Sequence, residues 1–152
     1  RKPLPPGLDK LYDLGYRKLT KIAGAINRSR PGVDETTPWP ALSDEQQHEM
    51  DQAVAMLREA ADQGHMEAQV CCGDIYTFGH GVAKDDHLCF VYTERAAGQG
   101  YAQAMANLGV LYANGQGVPQ SDKRAVELYR QSAAKGDATG QFNLAVSQSS
   151  LM

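Results

Sequence analysis

The stretch on which the fold turns is Gly100-Tyr101-Ala102-Gln103-Ala104-Met105-Ala106-Asn107-Leu108-Gly109-Val110-Leu111-Tyr112-Ala113-Asn114-Gly115-Gln116-Gly117-Val118-Pro119. Its opening six residues repeat Gly64-His65-Met66-Glu67-Ala68-Gln69 at a distance of 36 residues, and Gly136-Asp137-Ala138-Thr139-Gly140-Gln141 follows 36 further on. At the same offset Ile75-Tyr76 becomes Leu111-Tyr112, and Gly79-His80-Gly81-Val82 becomes Gly115-Gln116-Gly117-Val118. Cys72-Gly73 becomes Leu108-Gly109 and then Leu144-Ala145. Two steps without a gap, with Gly, Ala and Tyr in register, point to a stack of like units.

Each unit reads as helix, loop, helix. Ala104, Leu108, Leu111 and Tyr112 fall at helical spacing and make one apolar stripe. Gly115 and Gly117 end that helix, since a left-handed backbone conformation suits glycine and strains other residues. Pro119 forbids continuing it. Ser121 or Asp122 caps a second helix, whose inner face is Ala125, Leu128, Tyr129 and Ala133, and Gly136 closes it. The small residues Ala104, Gly109, Ala125 and Ala133 allow neighbouring backbones to approach closely. The unit before repeats the plan with Ala68, Gly73, Tyr76, Asp86, Cys89, Tyr92, Ala96 and Ala97.

Ala-x-x-x-Leu-Gly-x-x-Tyr-x-x-Gly-x-Gly-Val-Pro over 104–119, then Ala-x-x-x-Tyr and Ala-Ala-x-x-Gly, resembles the Sel-1-like repeat, a relative of the tetratricopeptide repeat. Residues 68–82 carry the same pattern with Cys72 in place of Leu, and the resemblance spans about 51–146. It implies an all-α fold: a right-handed α/α superhelix, a solenoid of helix-turn-helix repeats. Residues 51–64 look like the second helix of an earlier unit, with Ala53, Leu57, Ala60 and Ala61 in register. Residues 138–152 look like a first helix whose partner is missing, as in a truncated last repeat.

The expected division is therefore 1–50, a basic N-terminal helix and Pro-rich insertion forming a degenerate first repeat, and 51–152, the repeat array. Leu11-Tyr12-Asp13-Leu14-Gly15 reads as the Leu-Gly part of a first helix, with Lys18 where Tyr is usual. A long connection from about Ala25 to Leu42 holds Arg30-Pro31-Gly32 and Thr37-Pro38-Trp39-Pro40. Ser43-Asp44-Glu45-Gln46 is a capping box for the helix beyond.

Charge is uneven. Residues 1–30 hold eight Lys/Arg against Asp9 and Asp13, while the whole chain nets −3. Such a basic segment raises the question of nucleic acid or an acidic membrane surface. Lys10, Arg17, Lys18 and Lys21, however, are spread along an amphipathic helix, which reads as a solvated face, so no nucleic-acid partner is expected. With only three Phe and one Trp, the interior must rely on small side chains and close helix approach rather than bulky rings.

The chemistry-bearing residues offer no catalytic site. Cys71, Cys72 and Cys89 make an odd count without a CxxC. Cys72 and Cys89 stand at the family's core Leu and Ala positions and read as small buried hydrophobes, with Cys71 pointing elsewhere. The resemblance leaves a Cys72–Cys89 bond open, because some secreted relatives staple each hairpin with a disulfide. His48, His65, His80 and His87 show no ligand spacing, so neither a metal nor a cofactor is expected. Asp85-Asp86 falls at a helix start, where capping accounts for it, and the Gly-x-Gly loops follow helices rather than strands, unlike a phosphate-binding fingerprint. Trp39 has two readings: an interface anchor, or a ring folded back to pin its own loop.

In tetratricopeptide relatives the inner face comprises positions two before and two after the core Leu of each first helix. Carried over, this gives Tyr12, Tyr16, Val70, Asp74, Ala106, Val110, Phe142 and Val146 as partner-binding residues. A mostly apolar and aromatic row suits a peptide or a partner helix, although Val70 and Phe142 have the alternative of packing under a neighbour. Asn27-Arg28-Ser29 is a glycosylation acceptor on a loop, which directs the expected location to the endoplasmic-reticulum lumen or secretory pathway.

The resemblance implies a non-catalytic protein-binding scaffold or adaptor, taking a protein or peptide partner and no small-molecule substrate. The family's best-known role is in endoplasmic-reticulum-associated degradation, holding proteins near a membrane ubiquitin ligase, so a membrane complex reached through another protein is a further expectation. Two alternatives stand beside it. One is a structural subunit of a large assembly, docked through the basic segment. The other is a β-lactamase-like hydrolase, as described for some cysteine-rich relatives, although no Ser-x-x-Lys with its supporting motifs is present.

Overall fold

A computed structural model of the chain describes residues 3–32, 34 and 36–150, the side chain of Ser150 excepted. Arg1 and Lys2 of the basic segment, and Leu151 and Met152 of the expected last helix, lie outside the described residues. Among those described there are seven helices and no strand, and the all-α repeat architecture is as expected. The chain forms two compact units, 1–85 and 86–152.

In the first unit α1 (Leu8–Ser29) packs on α2 (Asp44–Asp62), and α2 packs on α3 (Met66–Phe78). Leu8, Gly15, Ile22 and Ile26 form the buried stripe of α1. Gly15 is a point of close approach: a methyl there would lie 3.0 Å from Leu57 Cγ and 3.2 Å from the Ala53 carbonyl oxygen. α2 begins with the expected capping box. Gln46 N–H donates to Ser43 Oγ (3.1 Å) and Ser43 N–H donates to Gln46 Oε1 (3.0 Å). Its Met50, Ala53, Leu57 and Ala60 are wholly out of water; each large side chain so buried contributes about 1.5–3 kcal/mol.

The helix α1 outruns the expected start of the insertion at Ala25. Ile22 and Ile26, four residues apart, both bury, and Arg30 N–H still donates to the Ile26 carbonyl (2.9 Å). Pro31 is what stops it, because a proline disfavours helical backbone at the residue before it. Asn27 is therefore in the last turn of a helix, exposed, rather than on a loop.

In the second unit α4 (Asp86–Gly98) packs on α5 (Ala102–Asn114), α5 on α6 (Asp122–Ala134), and α7 (Ala138–Ser150) on both α5 and α6. Gly109 does for α5 and α6 what Gly15 does for α1 and α2. A methyl at Gly109 would fall 2.5 Å from Tyr129 Cε1 and 3.2 Å from the Ala125 carbonyl oxygen. Ser121 caps α6, accepting from Arg124 N–H (3.2 Å). Gly115 ends α5 at φ 65°, in the left-handed region where glycine has no side chain to clash.

The 36-residue period is written into the backbone hydrogen bonds. His65 N–H donates to Ala60, Tyr101 N–H to Ala96 and Asp137 N–H to Ser132, each closing a second helix and turning into the next first helix. Asp85 N–H donates to the Tyr76 carbonyl (3.1 Å) as Ser121 N–H does to Tyr112 (2.9 Å). A methyl on Gly81 would meet Met50 Cγ at 2.5 Å, and one on Gly117 would collide with the Asp86 carbonyl oxygen, again 36 residues apart at both ends.

All three cysteines are free, so no bond joins Cys72 to Cys89. Both are buried, as their core positions require. Cys71 is half-buried beside Tyr12 rather than turned out to solvent.

Candidate functional site

The sequence-nominated row divides between the units. In the first, Tyr12 and Tyr16 lie on α1, one helical turn apart with rings stacked at 5.6 Å. Val70 and Asp74 lie on α3, half-buried and exposed respectively. In the second, Phe142 and Val146 of α7 are 68% and 49% exposed. Val110 of α5 is half-buried. Ala106 is fully buried, at 0% exposure, and has no surface to offer a partner; α7 packs against the helix that bears it.

Between α1 and α3 lies a cleft of about 250 Å³. α5 and α7 pack directly on each other, whereas α1 and α3, which meet where Tyr12 lies beside Cys71, leave a gap beside Tyr16 that the loop after α1 reaches over. Tyr16, Leu19 and Ile26 line one wall, Asp74, Ile75 and Phe78 the other, and Asp34, Thr37 and Trp39 come from the loop. Trp39 is held by its neighbour: its ring stacks on His80 at 4.9 Å and 14°, with Phe78 tilted against the same imidazole at 5.5 Å. The pinning reading of Trp39 thus describes its packing, and the pinned ring also forms part of the cleft. Asp34 accepts from Thr36 N–H (2.9 Å) and Thr37 Oγ1 (3.3 Å), and these hydrogen bonds, Thr36's above all, hold its carboxyl below the usual carboxylate range.

One residue that sequence reasoning passed over organises the neighbouring end of α1 and α3. His65 is 2% exposed and precedes α3 at the position of Tyr101 and Asp137. Its Nδ1 accepts from Ala68 N–H (3.2 Å), capping α3. With Nδ1 an acceptor, the hydrogen-bond network assigns the proton to Nε2, which donates to Asp9 Oδ1 at 2.8 Å. The Tyr12 ring stacks on the imidazole at 4.5 Å. Burial, with Cys71 adjacent, raises the Tyr12 phenol above its ordinary range. A polar residue just before a helix start, in register with Asp137, was the signal the sequence offered for the cap. Asp137 fills the same role before α7, accepting from Gly140 N–H (2.9 Å).

The groups with catalytic-looking spacing are engaged in the fold. Ser132-Ala133-Ala134-Lys135 has nucleophile-like spacing, but Ser132 is fully buried and its Oγ donates to the Ala102 carbonyl (2.8 Å). Asp85 and Asp86 sit at the start of α4, where the repeat register put them. No cluster of His, Cys, Asp or Glu among the described residues has the geometry to hold a metal ion. No helix among them is long and apolar enough to cross a membrane.

The sequence pattern of the Sel1 repeat matches residues 47–65, 67–101 and 102–137. The crystal structure of a Sel1 repeat protein from Oxalobacter formigenes is 30% identical over 91% of this chain and 94% of that one, with a TM-score of 0.62. A protective antigen of uropathogenic Escherichia coli strains, described as displaying an SLR fold, is 29% identical over 88% of this chain and 24% of that one, with a TM-score of 0.63. Helicobacter pylori cysteine rich protein B, 16% identical over 83% of this chain and 91% of that one with a TM-score of 0.55, shares the fold. No curated protein matches the chain significantly.

Proposed function

Because the chain belongs to the Sel1 repeat family, we propose that it is an adaptor whose first helices present side chains to a protein partner. Sel1 repeats generally act as scaffolds for protein–protein interaction and are generally non-catalytic. The observation that carries the reading is where apolar surface remains. Among the described residues the large exposed hydrophobics are Leu14, Tyr16, Phe142 and Val146, all on α1 and α7, and three of them belong to the row nominated from sequence. Large apolar side chains left in water suit protein contact. Tyr12, Val70, Asp74 and Val110 complete the partner-binding set, and Ala106 drops out of it. In this reading α1, the loop after it and α2 make a degenerate first repeat: Gly15 meets Ala53 and Leu57 as Gly109 meets Ala125 and Tyr129.

Work in endoplasmic-reticulum-associated degradation, beside a membrane complex reached through another protein, is the more specific form of the proposal. Its support is the exposed Asn27 of the Asn27-Arg28-Ser29 acceptor and the family resemblance. The test is affinity purification from the native source with the wild-type chain and a Tyr16→Ala/Phe142→Ala/Val146→Ala variant, each folded by circular dichroism. A partner captured by the first and lost by the second supports the adaptor reading; equal capture, or none, refutes it. Glycan on Asn27 supports the lumenal form, and an unmodified cytosolic protein counts against it.

A further inference from the structure

The cleft in the first unit has a chemistry narrower than generic protein binding. At about 250 Å³ it holds one long side chain with its backbone, not a helix, whose diameter with side chains is about 10–12 Å. Two carboxylates, Asp34 from the loop and Asp74 from α3, line it together with the rings of Tyr16, Phe78 and Trp39. Arg30 also lines it and balances one of the two acids, leaving the lining acidic by one charge among the described residues. We infer that the cleft seats a basic side chain, lysine or arginine, of an extended segment in the partner, a deepening of the adaptor reading that rests on it.

Each competing occupant meets a physical objection. An acidic side chain would approach two carboxylates against one guanidinium. A purely apolar one would strip water from both acids and return no hydrogen bond, which is costly for ionised groups. A basic side chain gains on both counts: its charge faces the carboxylates, and its stem and cationic head suit aromatic rings through dispersion and cation–π attraction. A carboxylate offers about four acceptor sites, so contacts already made by either acid do not exhaust it. Asp34 is suited to this role, since Thr36 and Thr37 hold it as the anion. The stacking of Trp39 on His80 keeps the roof ring in place before any ligand arrives, so less ordering is left for binding to supply.

Trp39 is the chain's only tryptophan, and its emission therefore reports on the cleft. The probes are three capped pentapeptides, Ala-Leu-X-Leu-Ala, with X arginine, its neutral isostere citrulline, or glutamate. The arginine peptide should shift Trp39 emission saturably and bind roughly ten-fold or more tightly than the citrulline peptide, as loss of a charge-assisted contact requires. The glutamate peptide should not bind. Asp74→Asn and Asp34→Asn should each reduce that preference for arginine, and added salt should weaken it. Asp34 is exposed, so its variant keeps the fold even if Asp74→Asn disturbs α3. Equal affinity for arginine and citrulline, undiminished preference in both variants, or no saturable response to the arginine peptide would each overturn the inference. Partner capture in the experiment above would survive any of these results, so the two readings fail separately.

Discussion

Replacing Gly109 by alanine adds one methyl group where α5 crosses α6, 2.5 Å from Tyr129 Cε1, 2.8 Å from Cδ1 and 3.2 Å from the Ala125 carbonyl oxygen. The ring belongs to a residue only 5% exposed, with little room to swing aside, and the carbonyl is backbone. Two effects oppose each other. Alanine gains about 1 kcal/mol over glycine inside a helix. Overpacking a closed contact costs about 1–3 kcal/mol. The clash should win, leaving a net loss of about 1 kcal/mol. Gly24 supplies the control, because its added methyl would meet only Arg28 Nη1 at 3.4 Å, the far end of a flexible exposed side chain. Gly24→Ala should therefore stabilise by about 0.5–1 kcal/mol. Urea unfolding followed by circular dichroism measures both, and the two variants should differ by roughly 2 kcal/mol with opposite signs. The cycle with Tyr129→Ala locates the cause: without the ring, Gly109→Ala should cost about 1 kcal/mol less. Should Gly109→Ala prove as stable as Gly24→Ala, the claim that this glycine exists to let α5 and α6 approach is wrong.

His65→Ala removes the cap on α3, the hydrogen bond to Asp9 and the ring stacked on Tyr12, and should cost about 2–3 kcal/mol in urea unfolding, with His65→Asn recovering about 1 kcal/mol by restoring the cap. Ser43→Ala breaks both halves of the α2 capping box and should cost about 1 kcal/mol by the same assay. Burial pushes the Cys71 thiol up to about 11 and the Cys72 thiol up to about 12, from an ordinary 9.0. At pH 8 a disulfide reagent should therefore react slowly with the native chain and promptly with all three thiols in denaturant. The same shifts set an alkaline limit. Thiols whose folded pKa exceeds the unfolded value stabilise fully below about pH 9, and that contribution is lost as the pH climbs through 11–12. Tyr12, Tyr76 and Tyr129, also raised by burial, act in the same direction. Melting temperatures rising above pH 9 would contradict this.

Much of the architecture was legible because its causes are local and periodic. The Gly64, Gly100 and Gly136 turns, the glycines that end α3 and α5, and the caps at Ser43 and Ser121 depend on residues within a few positions, and the period repeats them. The extent of α1 was misjudged because Arg30-Pro31-Gly32 resembles a loop, while burial of Ile26 carries the helix as far as Ser29. His65 was passed over because a histidine beside a helix start shows its purpose only when Asp9 and Tyr12, more than 50 residues earlier, arrive against it.

From the chain alone came the unit, its length, its helix pairs and the small residues that set their spacing, since these follow from hydrogen bonding and sterics between near neighbours. Exposure was decided by tertiary packing. Ala106 and Phe142 share one register position, yet the first is sealed on α5, against which α7 packs, and the second lies open on α7 itself. The cleft likewise exists because α1 and α3 leave a gap beside Tyr16 that the loop after α1 covers, with Trp39 docked on His80. Solvent access belongs to whatever lies on the far side of a residue, and a repeat pattern, being the same in every unit, carries no information about which neighbour is there.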